Sequence, residues 1–311
     1  MQKSKLSRTF ILCLFAVVVM LAQTGCGRKS DATAERTSIQ NQGSDTMVNL
    51  AQAWAEAYAE VDPAISVEVS GGGSGTGIAA LINGTVDIAN SSRKIEPEEL
   101  EKAKQNTGKE PIEYLVGYDA LAVYVHKDNP INEITLEQLA EIFGEGGKLE
   151  KWSQLGAKNS ACANDEVIRV SRQSNSGTYH YFREAILGKN RDFKLGSRDM
   201  NGSKDVVELV SQTPCALGYS GLGYHTPEVK MLLVAKKAGD PTYAPSIETT
   251  LNNTYPIARP LFVYSLGTPN EHTKKYLDWI HSVPGQVIVK ESGYVPLPEF
   301  ADAVGATPAK E

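Results

Sequence analysis

Three short segments of small, hydroxyl-bearing and amide-rich residues each stand between a strand-like and a helix-like stretch. They are Gly43-Ser44-Asp45-Thr46, Gly71-Gly72-Gly73-Ser74-Gly75-Thr76-Gly77 and Ser174-Asn175-Ser176-Gly177-Thr178. A strand that ends in such a turn and runs directly into a helix is the repeating unit of an α/β fold, so this pattern limits the architecture before any other feature is considered.

The rest of the chain agrees. Residues 36–42 read as a first strand. Met47, Leu50, Ala51, Trp54, Ala57 and Tyr58 then recur at helical spacing until Pro63 stops them. Strands are expected at 65–69, 86–89 and 167–170, with strand-rich sequence over 112–125. Thr135-Leu136-Glu137-Gln138 has the form of a capping box and opens a helix through Leu139, Ala140 and Phe143. Tyr179, Phe182 and Ile186 share a helical face, Ser203 opens another helix, and 216–219 reads as a buried strand. A late strand at 261–265 precedes a terminal helix carrying Tyr276, Leu277 and Ile280. There is no fixed-period repeat and no low-complexity linker, which favours two lobes built from a discontinuous chain.

The N-terminus has a separate design. Lys3, Lys5 and Arg8 precede an apolar run over 10–22, shorter than the roughly 20 residues of a spanning helix. Residues 1–25 are therefore expected to be a secretory signal peptide. Leu21-Ala22-Gln23-Thr24-Gly25-Cys26 resembles a lipoprotein lipobox, which implies lipidation of Cys26 followed by a tether over 26–35. Gln23 stands where an aliphatic residue is usual, so cleavage to a free secreted protein is the alternative. Loss of Lys3, Lys5 and Arg8 takes the 31 cationic side chains to 28 against 37 acidic ones, a formal charge of −9. That balance argues against nucleic acid, whose binding rests on phosphate neutralisation by Lys and Arg. With Cys13 removed and Cys26 lipidated, Cys162 and Cys215 remain. In an oxidising compartment they are expected to pair, the alternative being two separate buried thiols.

The small-residue turns also suggest chemistry. A helix N-terminus presents free N–H groups and a partial positive charge, which suits a tetrahedral oxyanion. Glycine lets the backbone approach closely, and Ser and Thr add hydroxyl donors. One such turn is ordinarily only a helix cap; three, with Arg93 after Asn90-Ser91-Ser92 and Arg172 before the third turn, make an anion site the better reading. Catalytic readings fare worse. The glycine-rich turn lacks the Gly-Lys-Ser/Thr ending of a nucleotide-binding loop and the spacing of a dinucleotide-binding turn. Gly218-Tyr219-Ser220-Gly221-Leu222 misses the nucleophile elbow at its last position. The five histidines show no metal-ligand spacing, so neither metal nor cofactor is expected.

Taken together, GSDTM, GGGSGTGI, NGTVDIANSSR, RQSNSGTY, LGYSGL and YPIARPLFVYS resemble the phosphate-binding proteins of phosphate-specific ABC transporters, within the type II periplasmic binding proteins. The resemblance implies two α/β lobes joined by two crossing strands, one lobe from 36–120 and 259–311 and the other from 121–258. It implies capture of inorganic phosphate between the lobes and delivery to a membrane permease and its ATPase. The implied contacts are Ser44, Asp45, Thr46, Ser74, Gly75, Ser92 and Arg93 from the first lobe. The second lobe would supply Arg172, Ser176, Gly177 and Thr178. Some members carry aspartate where Ser92 and Ser174 stand, which leaves Asp45 as the expected carboxylate. The rival readings are a binding protein for sulfate, molybdate or tungstate, a phosphatase-like enzyme, and a scaffold lipoprotein that binds no anion.

Overall fold

A computed structural model describes residues 37–306. The expected signal peptide, tether, Cys26 and the last five residues lie outside it. Eleven strands are present among the described residues: β1 Thr37–Gly43, β2 Ile65–Ser70, β3 Ile88–Ser91, β4 Pro111–His126, β5 Glu133–Thr135, β6 Ile168–Arg172, β7 Arg198–Met200, β8 Ala216–Gly221, β9 Val229–Met231, β10 Leu233–Ala235 and β11 Ala258–Leu266. The helices are α1 Val48–Val61, α2 Ser74–Ile82, α3 Pro97–Thr107, α4 Leu136–Phe143, α5 Gly177–Leu187, α6 Ser203–Gln212, α7 Ile247–Leu251, α8 Glu271–Ile280 and α9 Val283–Glu291.

The main sheet runs β2-β1-β3-β11-β4-β8-β6-β7, with β9 added beside β4. Pairing is parallel within β2-β1-β3 and within β8-β6-β7, and antiparallel where β11 and β4 join the two groups. The sixteen-residue β4 organises this arrangement. Its register with β11 runs from Pro111 to Ala120, and its register with β8 from Leu121 to Val125. One continuous strand thus changes partner between Ala120 and Leu121. Separate cores form on the two sides. Trp54, Ile39, Val263, Tyr276 and Tyr294 pack under α1, while Phe143, Trp152, Phe182, Tyr219 and Leu139 pack under α4 and α5.

Local chemistry explains most element ends. Thr135 caps α4 by accepting from the Gln138 amide, and Gln138 returns a bond to the Thr135 amide, as its capping box implies. The third strand lies at Ile88–Ser91 rather than 86–89, because all four of its residues are buried between β1 and β11. A helix not expected from the sequence, α9, begins across Pro284 and Gly285. Proline is well suited to a first turn. A side chain at Gly285 would come within 2.5 Å of the Trp279 and Ile280 carbonyl oxygens, so only glycine lets α9 pack this closely on α8. Cys162 and Cys215 are joined by a disulfide. No helix among the described residues is long and apolar enough to cross a membrane.

Candidate functional site

The three small-residue turns converge. The first follows β1, the second joins β2 to α2, and the third joins β6 to α5. The Ser44 amide donates to the Asn90 carbonyl at 2.9 Å and the Gly73 amide to the Gly43 carbonyl at 3.0 Å, so the first two turns are tied to each other and to β3. Ser44 Oγ donates to Ser92 Oγ at 2.9 Å, and Ser74 Oγ lies 3.3 Å from Ser92 Oγ. From the third turn, Thr178 Oγ1 lies 2.8 Å from Thr46 Oγ1. Ser176 caps α5, accepting from the Thr178 and Tyr179 amides. Gly177 sits so close that a Cβ there would be 2.3 Å from Ser74 Oγ and 2.7 Å from Ser92 Oγ. Any side chain at that position would drive the turns apart.

Two further bonds join the turns: the Gly75 amide donates to the Asn175 carbonyl at 3.0 Å, and Asn175 Nδ2 donates to the Gly72 carbonyl at 2.8 Å. Ser44, Thr46, Ser74, Ser92, Ser176 and Thr178 are all buried. Hydroxyls buried together hydrogen-bond one another because an unpaired one would be costly, and each can rotate to donate to an incoming acceptor.

The arginines and carboxylates are arranged less simply than their sequence positions suggest. Arg172 is fully buried and spends its donors on the protein. It reaches Asp45 Oδ2 at 2.9 Å, the Asn201 carbonyl at 2.7 Å and Ser203 Oγ at 2.9 Å. Burial pulls its guanidinium below the ordinary arginine value, and the Asp45 carboxylate offsets part of that. Asp45 Oδ1 also accepts from the Gly72 amide at 2.9 Å, so both of its oxygens are engaged. The Arg93 guanidinium forms a fork with Glu99, at 2.8 and 2.7 Å, and donates to the Lys94 carbonyl. Burial pushes the Glu99 carboxyl up, but Arg93 and the Glu96 amide outweigh it and hold the group below its usual value.

Two residues not named among the expected contacts occupy the centre. Arg259 and Asp119 are cross-strand neighbours on β11 and β4, and both side chains are fully buried. Arg259 Nε and Nη2 donate to Asp119 Oδ2 at 3.1 and 2.8 Å. The same Nη2 reaches Thr46 Oγ1 at 3.2 Å and Thr178 Oγ1 at 3.0 Å, and Nη1 reaches the Ser92 carbonyl at 3.2 Å. Asp119 Oδ1 accepts from the Leu222 amide. A signal was available for each: Asp119 is the one charged residue between Tyr114 and Val125, and Arg259 lies inside the YPIARPLFVYS segment.

This geometry is accompanied by clear kinship. A PBP superfamily domain matches residues 29–283. A Pseudomonas aeruginosa protein named phosphate-binding protein PstS is 38% identical over 271 residues, covering 84% of this chain and 83% of that protein. The chain belongs to the PstS family of the PBP superfamily. Protein SphX of Synechococcus elongatus is 35% identical over 283 residues, covering 87% and 81%. Among solved structures, a substrate-binding protein with bound phosphate from Clostridium perfringens superposes with a TM-score of 0.74 at 28% identity, covering 84% of this chain and all of that one. An ABC-type phosphate transport receptor from Vibrio cholerae gives 0.65 at 26% identity, covering 83% and 100%. The two-lobed type II fold is that of the family.

Proposed function

We propose that this chain is a solute-binding protein, not an enzyme, that captures inorganic phosphate between its lobes and delivers it to the permease and ATPase of an ABC importer. The observation that carries this reading is the meeting of Ser44, Thr46, Ser74 and Thr178 hydroxyls from three separate strand-to-helix turns with Ser92 from the end of β3, beside the buried Arg259. A tetrahedral oxyanion offers only acceptors along most of its surface and would take these donors together, with Ser74 and Gly177 adding helix N-terminal amides. Arg259 supplies the guanidinium closest to the hydroxyls. Arg172 acts through Asp45, holding the first turn against the third. Arg93 enters the ligand shell only if it exchanges part of its fork with Glu99.

The partner change within β4 supports lobes composed of 36–120 with 259–311 and of 121–258, so closure would bend the molecule at β4 and β11. The signal-like N-terminus supports export after removal of 1–25 to the periplasm or cell surface, with acylated Cys26 and the tether 26–35 holding the protein at a membrane. Cys26→Ser should release it into the soluble fraction, and unchanged membrane retention would refute the anchor.

The function is tested by calorimetric titration of phosphate, sulfate and molybdate into anion-stripped protein. Preferential phosphate binding is expected. A preference for another oxyanion would replace the substrate, and no anion binding at all would overturn the reading.

A further inference from the structure

The converging turns are not equally open to solvent. Ser44, Thr46, Ser74, Ser92, Ser176 and Thr178 are buried, whereas Asn175, in the middle of the third turn, is exposed. Its side chain nevertheless crosses to the second turn. Asn175 Nδ2 donates to the Gly72 carbonyl at 2.8 Å, and the Asn175 carbonyl accepts from the Gly75 amide at 3.0 Å. One residue thus grips a turn 103 positions away through a side-chain donor and a main-chain acceptor. The approach is close: a Cβ on Gly73 would lie 2.7 Å from the Asn175 carbonyl oxygen, and one on Gly75 would lie 3.2 Å from it.

Each turn has its own internal bonds. In the third, the Ser176 amide donates to the Gln173 carbonyl at 3.0 Å, the Gln173 amide donates to the Met200 carbonyl at 3.2 Å, and Ser176 Oγ caps α5. The second is held by the Gly73 amide on the Gly43 carbonyl and by the Gly72 amide on Asp45. These bonds each stay on one side of the molecule, because β1 pairs with β2 at one end of the main sheet and β6 pairs with β7 at the other. The Asn175 bonds run between the sides. Both neighbours of its Nδ2, the Gly72 carbonyl and Thr76 Oγ1 at 3.5 Å, belong to the second turn. A bond inside a turn shapes that turn, whereas a bond between two separately held turns sets how firmly they stay together. Water can replace either partner of an exposed bond, so it breaks and re-forms at small net cost. The buried contact of Thr46 with Thr178 has no such substitute.

We propose that Asn175 is a positioning residue that clamps the third turn onto the second over the bound anion and so sets how long the anion stays. The proposal rests on the oxyanion reading of the hydroxyl cluster and deepens it by naming the residue that governs release. Asn175 acts through Gly72 and Gly75 rather than by touching the anion, since its Nδ2 and the Gly75 amide are given to each other's turn. Bonds made only when the turns meet favour the closed arrangement, so their loss speeds release. Entry precedes that meeting and is left almost unchanged.

The test compares wild type with Asn175→Ala, which removes the donor, and Asn175→Leu, which removes it but keeps the side-chain volume. Asn175 lies outside the left-handed backbone region, so neither replacement is strained there. Calorimetry gives phosphate affinity, and release is followed by chasing bound radiolabelled phosphate with excess unlabelled phosphate. Both variants should release phosphate about fivefold faster and bind it more weakly by the same factor, with the association rate within about twofold of wild type. Arsenate should show an equal factor, because a clamp does not depend on which anion it covers. Unchanged release in both variants would overturn the proposal and leave the phosphate function standing. Normal release in Asn175→Leu would overturn it too, by making side-chain volume rather than the hydrogen bond the cause. Slower association without faster release, or unequal factors for the two anions, would replace the clamp by a direct contact on the entering anion. Failure of the wild type to bind phosphate would remove the oxyanion reading and the clamp with it.

Discussion

Two arginine–carboxylate pairs stand beside the converging turns, and they are built in opposite ways. Arg259 and Asp119 face each other across adjacent antiparallel strands, with both side chains fully buried. Their contact comes from strand register and persists whatever the lobes do. Arg172 and Asp45 lie at the end of β6 and after β1, and the Asp45 side chain is 19% exposed. They touch only because the third turn meets the first. The first pair therefore belongs to the sheet, while the second ties the end of β6 to the first turn. Identical chemistry thus has one structural and one conformational consequence, according to whether the sheet holds both partners.

The sharpest way to break this comparison is Arg259→Ala. It strands the fully buried Asp119 carboxylate, and loss of one partner from a buried pair costs about 3–5 kcal/mol. Denaturant unfolding should show that loss, and phosphate binding should be abolished. Replacing both residues by apolar ones should recover much of the stability but none of the binding. If the double variant binds phosphate normally, Arg259 is scaffold alone.

A control for general destabilisation comes from the disulfide. Cys162 and Cys215 are 53 positions apart, and opening a loop of that length costs about 4 kcal/mol in the chain-entropy model. Cys162→Ser with Cys215→Ser should lower the unfolding midpoint by a comparable amount and leave phosphate affinity unchanged at temperatures where the protein is folded. A matching loss of affinity would mean that the Arg259→Ala result reports stability rather than contact.

Asp45→Asn should have a smaller effect. The turn keeps its shape and the Gly72 amide keeps an acceptor, but the carboxylate charge facing Arg172 is gone. Phosphate affinity is expected to fall about tenfold, or about 1.4 kcal/mol, and stability to fall by less than in Arg259→Ala, because Arg172 loses a carboxylate that is itself part-exposed. Because both Asp45 oxygens already accept from Arg172 and Gly72, sulfate should weaken by the same factor. A selective loss of phosphate over sulfate would instead make Asp45 the acceptor for the P–O–H that sulfate lacks.

The smallest effect is a pH dependence beside Arg93. Burial, and then Arg93, depress the His180 pKa in the fold, so protonation favours the unfolded chain. Its contribution to stability is present above the unfolded value of about 6.5 and is lost as pH falls from there towards the depressed folded value. His180→Gln should flatten that part of the stability–pH curve. An unchanged curve would show that the ring is already solvated.

Much of this was legible in order along the chain. The turns at 43–46, 71–77 and 174–178 and the capped α4 are local signals, because caps, glycine conformations and helical spacing act within a few residues; the pairing of Cys162 with Cys215 was legible instead from which cysteines remain in an oxidising compartment. The extra helix α9 was hidden because Pro284 and Gly285 ordinarily read as a break, and only packing on α8 turns them into a start. Arg93 and Arg172 follow or precede small-residue segments in the sequence, yet sequence position did not disclose that Glu99 and Asp45 hold them.

By itself the sequence determined an α/β chain with an export-like N-terminus and three small-residue turns from strand to helix, since each is a property of neighbouring residues. Only the tertiary structure decided which charges share the centre. Asp119 and Arg259 are 140 positions apart, and nothing local pairs them. Strand register sets them opposite each other, and the cost of burying either charge alone makes the pairing obligatory.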